Sequence, residues 1–588
     1  MKSEIRKLKS ENANENMKNK KIYLLLCLVL VIITNYCQSQ THSEEVDVYS
    51  NSTRRIEKAT KIPDKPVYKD SVLTQLPVKY NTISAQAQTS IAPEPLKAAN
   101  VIPKELLDRL YKFYVKAGVG NYTNLLGELY FNQERHSTND YGVHIKHFSS
   151  AGGINDVAFD GFSMNEASVY GSKIWNVYRG NAEVKFNREA FHYYGFVPDS
   201  FSTITTPQTK QIYNTLIFKL SGGTTFVNDT SKISHYESLQ YRPYFDNHGA
   251  KDHNVLIEVG GGKKFKTEFY SLGFLVDFNQ LNDDSCSSLT LFKEPVIYSC
   301  IQQQTNAILG FNPTVTTRSG NLKIKVGLMV NADIYSTGKF YFFPDIDFSY
   351  SLFNNVFVPY VGTNRSTIRN SLYTLSKKNP FIVSNDEYLN TNQKLNVFAG
   401  IRGTWSSNLS FNSKVSFSQN QNVPLFIEDT LFSVQNRFAV TYDNVDIISA
   451  DAHILFRTTS KWHFVIGGTY FKYSTSVQQF AWNMPDFKVY STLNYNLKDK
   501  IIIKYNLELV GTRRAYTLIP MSGVTPQTDG KYIFDLKPYI DTDIQLEYRY
   551  TKRFSIFANF NNLARRYNRW KNYPTQSFNA IGGVTFMF

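Results

Sequence analysis

From Tyr111 to Phe588 the chain repeats one pattern: a run of alternating apolar and polar residues, a connection, then another such run. Alternation with period 2 puts one set of side chains on each face of a strand. In the run 537–550, Thr542, Ile544, Leu546, Tyr548 and Tyr550 share one face, while Asp541, Asp543, Gln545, Glu547 and Arg549 share the other. In 500–511, Ile501, Ile503, Tyr505, Leu507 and Leu509 stand opposite Lys504, Asn506 and Glu508. No sandwich core can be built on the charged faces, and a sheet wet on both sides has no use for the apolar ones. An apolar exterior around a polar lumen satisfies both, which predicts an all-β, antiparallel barrel spanning a bilayer.

Counting the runs predicts about 22 strands, within a range of about 16–22. The connections alternate in length. Asn176-Val177, Phe265-Lys266, Ser407 and Lys498-Asp499 belong to a short set. Ser150–Phe162, Gly195–Lys210, Asn282–Gln303, Arg365–Asn392, Asn422–Asn436 and Thr512–Leu536 belong to a long one. Outer-membrane barrels keep short periplasmic turns and long outer loops. Aromatic residues make up 15% of the chain, with Tyr 39 and Phe 43, enough for a girdle at each membrane interface. Mean hydropathy is only −0.32, as expected when each lipid-facing residue is matched by one facing water.

The last stretch, Thr551 to Phe588, carries the most specific signal. Phe554, Ile556, Ala558 and Phe560 alternate with Ser555, Phe557, Asn559 and Asn561, and in the final run Phe578, Val584, Phe586 and Phe588 share one face. Asn561-Asn562-Leu563, Tyr567, Trp570, Tyr573-Pro574 and a terminal strand ending in Phe588 resemble the C-terminus of outer-membrane barrels of Bacteroidota, in particular the barrel of TonB-dependent receptors. The resemblance implies that Val584, Phe586 and Phe588 form part of a signal read by the barrel-assembly machinery. It also implies transport of solutes across the outer membrane of a Gram-negative bacterium.

The N-terminal region departs from that family. A basic segment, the apolar run Ile22 to Ile33 and small residues near Ser39 describe a signal peptide over residues 1–39. Residues 40–109, with Pro63, Pro66, Pro77, Pro93, Pro95 and Pro103, read as a periplasmic tether, too short and Pro-rich for a globular plug. The barrel occupies 110–588. A barrel this wide needs filling by the tether, by outer loops folded inward or by a partner such as a lipoprotein or periplasmic protein. The segment Val78–Val101 is a candidate to enter the lumen.

The formal charge is +15, and removing residues 1–39, with seven cations and three anions, leaves +11. This excess points to lipopolysaccharide and phosphate headgroups; no zinc spacing or nucleic-acid motif accompanies it. Arg565, Arg566, Arg569, Trp570 and Lys571 form a basic, aromatic cluster in the last outer loop, suited to an anionic ligand or to lipopolysaccharide. Cys286 and Cys300 fall in one outer loop, where an oxidising compartment favours a disulfide. His144 and His147 stand three apart on a strand and so face opposite ways, which excludes a metal pair. No catalytic constellation survives the same test, so neither an enzyme nor a cofactor is expected. Two functions remain: a transporter or pore, or a non-conducting scaffold within an outer-membrane assembly or secretion complex.

Overall fold

The computed structural model describes residues 110–588, apart from 134–135, 137, 197–205, 225–231, 285–301, 336–337, 365, 385, 430–435, 459–460, 518–524, 527–531 and 565. The expected signal peptide and tether, Cys286, Cys300 and Arg565 lie outside the described residues.

A single antiparallel sheet closes on itself. Its strands are β1 (Phe113–Gly120), β2 (Asn124–Gln133), β3 (Asn139–Ser150), β4 (Phe162–Trp175), β5 (Tyr178–His192), β6 (Lys210–Thr224), β7 (Ser234–Asp246), β8 (Ala250–Phe265), β9 (Glu268–Asp283), β10 (Gln303–Ser319) and β11 (Leu322–Ile334). They continue as β12 (Lys339–Tyr350), β13 (Val358–Thr363, extended by Thr367–Ile368), β14 (Thr391–Ser406), β15 (Leu409–Glu428), β16 (Phe438–Arg457), β17 (Trp462–Thr475), β18 (Phe487–Leu497), β19 (Ile501–Val510), β20 (Tyr539–Arg549), β21 (Phe554–Asn561) and β22 (Asn579–Met587). Each strand pairs with its sequence neighbours, and β22 also pairs with β1, from Tyr114↔Met587 to Gly120↔Ile581. Phe113 and Phe588 exchange both backbone hydrogen bonds (2.9 and 3.1 Å), and their rings stack at 4.9 Å. The terminal aromatic thus clamps the seam where the sheet meets itself.

Both ends of the barrel chain lie at one rim, here the termini end. The turns there are tight, and several place a residue in left-handed backbone: Asn176 (φ 53), Lys266 (φ 55), Gly320 (φ 56) and Lys498 (φ 53). Connections at the opposite rim, the loop end, carry structure of their own. The β13–β14 connection holds a helix, α1 (Leu372–Lys378), the β19–β20 connection a small sheet of Arg513–Thr517, Thr525–Pro526 and Tyr532–Leu536, and the β21–β22 connection a hairpin of Asn568–Trp570 and Tyr573–Pro574. One expected outer loop is shorter than the alternation predicts. Asn422 (φ 54) sits in a bulge between Asn420 and Val423, so β15 continues to Glu428 where the sequence reads as a turn.

The faces follow the alternation. Val169, Leu220, Val326, Val415 and Ile556 stand outward and exposed, as do Phe578, Val584, Phe586 and Phe588. Trp175, Phe265, Trp405 and Tyr550 form an outward aromatic belt near the termini end. The lumen is charged with both signs. On β1–β4 a cross-strand row reads Lys116, Glu128, Lys146, Glu166, and Lys185 Nζ lies 2.5 Å from Glu166. His144 faces this lumen, its Nε2 3.1 Å from Glu128 and its ring stacked 4.0 Å from Tyr130, whereas His147 turns outward to Asn165.

Phe557 faces inward as its alternation predicts, but it is not a tolerant lumenal position. It is 4% exposed, packs with Leu126 and Ile581, and fills room that Gly118 and Gly583 leave free, with Lys116 Nζ 4.2 Å from its ring. A lysine here would meet Lys116 and empty a packed site. The comparison that tests the register is therefore Ile556→Lys against Asn559→Lys. The first puts a charge on the lipid face at a cost of about 2–4 kcal/mol near midplane; the second puts it into the wet lumen. Ile556→Lys should cut the heat-modifiable, assembled fraction on gels severalfold, while Asn559→Lys stays within about twofold of the parent.

Candidate functional site

The loop end holds a packed core. The connection between β13 and β14 folds into the lumen and lays α1 against the inward faces of β6–β9. Leu372 and Leu375 of α1, with Ile382 and Tyr388 beyond it, form a core with Tyr213, Tyr244 and Leu281 of the wall. The helix begins in a capping box: Ser371 Oγ accepts from the Thr374 N–H, and Thr374 Oγ1 accepts from the Ser371 N–H at 2.8 Å. A seven-residue helix is marginal alone. Its two fully buried leucines and this cap are what hold it.

Polar side chains of the wall serve the connection's backbone, which would otherwise be buried without partners. Gln304 takes both groups of Tyr388, donating to its carbonyl at 2.5 Å and accepting from its N–H at 3.0 Å. Asp252 accepts from the Tyr373 N–H at 3.0 Å, and the Tyr213 hydroxyl donates to the Pro380 carbonyl at 3.2 Å. Val383 N–H donates to the Phe438 carbonyl and Phe438 N–H to the Phe381 carbonyl, each at 2.9 Å, so the connection adds a short parallel bridge to β16.

The deepest anchor is Arg369. Its Nε lies 3.1 Å from Asp277 Oδ2, and its other nitrogens donate to the Asp277 carbonyl and to Asn306. Asp277 lies six residues below Asp283 at the end of β9, about 20 Å along the strand. Asn390 and Asn392 then fasten the returning chain to Asp333 at 2.7 and 2.9 Å. None of these residues stands out in the sequence. The only signal there is the length of the β13–β14 connection.

The last outer loop packs onto the same core. Tyr573, 1% exposed, stacks on Phe381 at 3.6 Å, and Trp570 packs on Phe426 and Phe438. The basic cluster expected on this loop is divided. Lys571 is buried: its Nζ is 2.9 Å from both carboxylate oxygens of Glu428 and 2.7 Å from Thr517 Oγ1. That ion pair withdraws it from any ligand. Arg566 donates to the Asn155 carbonyl at 3.0 Å, and Arg569 stays exposed. Among the described residues no three His, Cys, Asp or Glu side chains converge on a metal-sized site.

No protein-family model matches the chain, and no curated protein does. Solved structures share its fold. The FrpB iron transporter from Neisseria meningitidis aligns with a TM-score of 0.61 at 8% identity, over 82% of each chain. The siderophore receptor PirA from Acinetobacter baumannii gives 0.59 at 9% identity, over 81% of this chain and 80% of that one. A ferric enterobactin receptor from Pseudomonas aeruginosa, in complex with enterobactin, gives 0.58 at 12% identity over 81% of each. At such identities the likeness establishes architecture: a closed, 22-strand antiparallel barrel of the outer-membrane fold.

Two outcomes test the closure. Arg369→Ala strips Asp277 of its counter-ion, and breaking a buried pair from one side costs about 3–5 kcal/mol. Trypsin should then cut the assembled barrel at Lys377 or Lys378 much faster than the parent, and Asp277→Ala in the same chain should recover part of the protection. The second outcome concerns pH. Asp386 accepts from the Val440 N–H at 2.6 Å, and burial pushes its carboxyl up to about 7, with that hydrogen bond pulling the other way and Asp429 adding a smaller push. A released loop would ionise Asp386 near pH 4. Seating is therefore strongest below about pH 4, weakens as pH rises towards 7, and is level above it. The open fraction in planar bilayers should be larger at pH 8 than at pH 5, and Asp386→Asn should remove the difference.

Proposed function

We propose that this chain is a TonB-dependent-receptor-like barrel that passes solutes across the outer membrane of a Gram-negative bacterium, with its mouth held shut by the β13–β14 connection. The observation that carries this reading is the contrast between mouth and lumen. The mouth is packed, whereas below it Lys146, Lys219 and Lys504 stay exposed on the inner wall. A barrel of 22 strands encloses a wide interior. A solute path requires a charged, wet interior, whereas a scaffold that holds its partner outside the lumen does not. The architecture shared with iron and siderophore receptors supports the same reading.

The scaffold reading has its own support in the same core, since Tyr213, Tyr244, Leu372, Leu375, Ile382 and Tyr573 are sealed as tightly as a domain interior. Conductance decides between the two. Deleting 370–388 should turn a closed barrel into one with steady single-channel conductance in planar bilayers. We further propose that Val78–Val101 narrows the lumen, in which case deleting it together with 370–388 gives a larger conductance than deleting 370–388 alone. A correctly assembled double deletion that stays silent would overturn transport in favour of the scaffold.

A further inference from the structure

Where register sets a lumenal lysine or arginine opposite an acidic residue, the two signs offset each other, as at Lys116↔Glu128, Lys146↔Glu166 and Lys414↔Asp451. One ladder step does the reverse. Among the described residues, Arg318↔Lys323 of β10 and β11 is the only paired step of the barrel sheet at which two Lys or Arg residues stand opposite each other. Like charges placed so destabilise a sheet. Both side chains share the inward face with Lys325, beside the turn at Gly320, so the doublet sits in the lumen at the termini end.

The charged groups that act on Lys323 are Arg318, Asp347, Arg402 and Lys325. Lys325 is matched, its Nζ 2.9 Å from Asp345 Oδ2. Among the described residues no carboxylate pairs with Arg318, Lys323 or Arg402, and Asp347 offsets only part of their charge. Arg402 stands on β14, three strand spacings from Lys323 or about 14 Å by backbone. Its guanidinium leans back over β13, 5.1 Å from the centre of the Tyr360 ring. That ring is held in place: it fills the room left by Gly400, and its hydroxyl donates to Asn412 Oδ1 at 2.7 Å. Register puts only Ser349 and Tyr360 between the doublet and Arg402. Arg318 and Arg402 are exposed and Lys323 is half-buried, so all three can be reached from the lumen.

We propose that Arg318, Lys323 and Arg402 form a binding site at the termini end of the lumen for small solutes that carry two or more carboxylate or phosphate groups. The inference rests on the transport reading and names the class of solute. One acidic group lies between Arg318 and Lys323, where it turns their repulsion into two charge-assisted hydrogen bonds. A second accepts from the Arg402 guanidinium. A solute with a single acidic group satisfies the doublet but leaves Arg402 without a partner, and a cationic solute is repelled by all three.

Isothermal titration of the full-length protein in detergent at low ionic strength, with citrate and acetate as probes, tests this. Citrate should bind at least about tenfold more tightly than acetate, and its affinity should fall as salt is added. Arg318→Gln combined with Lys323→Gln should weaken citrate at least about tenfold, and Arg402→Gln should bring citrate close to acetate. Asp347→Asn removes the opposing charge and should tighten citrate about threefold, whereas Lys488→Gln, which removes an inward cation elsewhere in the lumen, should change it by less than about twofold. Heat-modifiable migration verifies assembly. If the double variant fails to assemble, Asp347→Asn decides, since an unchanged affinity there overturns the proposal. So does a parent that binds no citrate, or citrate binding that survives the double substitution. The transport reading fails separately: a silent 370–388 deletion overturns transport while citrate binding stands, and a conducting deletion that binds no citrate overturns only this site.

Discussion

Everything in this structure depends on the pairing of the last strand with the first. In hydrocarbon an unpaired N–H or C=O has no water to turn to, so an open sheet edge cannot be kept there. The contacts from Tyr114↔Met587 to Gly120↔Ile581 remove that edge, and the backbone exchange between Phe113 and Phe588 finishes it at the rim. Closure fixes which face is which. Once Val584 and Phe586 look outward, Thr585 and Gly583 look inward, and through the ladder the same choice is passed to all the other strands.

Closing the sheet also creates the problem that the β13–β14 connection answers. A hoop this wide cannot fill itself with wall side chains alone, since those on opposite walls do not meet. The chain solves this with a segment that brings its own small core and lets the wall supply the hydrogen bonds. Gln304, Asp252 and Tyr213 act on backbone, and Asp277 and Asp333 act on side chains. The apolar half of the joint supplies burial, and the polar half fixes where the segment sits. Removing Arg369 alone should therefore unseat a loop whose leucines are untouched.

How much of this could be read from the residues depends on the range of the signal. Alternation is local: Ile544, Leu546 and Tyr548 against Asp543, Gln545 and Glu547 declare a two-faced strand without reference to anything else in the chain, and all the expected strands are present with modest shifts at their ends. Asn422 misleads because its local chemistry is that of a turn, while the ladder on both sides of it absorbs the extra residues as a bulge. The packed mouth was not legible. Arg369 and Asp277 are 92 positions apart, and Lys571 and Glu428 are 143 apart. In isolation Lys571 looks like one more cation in a basic loop. Only the path of the fold brings it against a buried carboxylate.

The inserted segment has a mechanical consequence as well. It departs from β13 and returns through β14, yet it is tied to β5 by the ion pair of Lys377 with Glu189, to β7 by Ser376 with Tyr244 (2.7 Å) and to β16 by the bridge at Ile382. It is a chord strung across a ring. A ring of many narrow staves resists stretching well and flattening poorly, because flattening needs only small changes of angle at each joint. The chord holds the ring round. If the chord is pulled free, the rim loses that cross-tie and can go oval, its shape then set by whatever takes the chord's place.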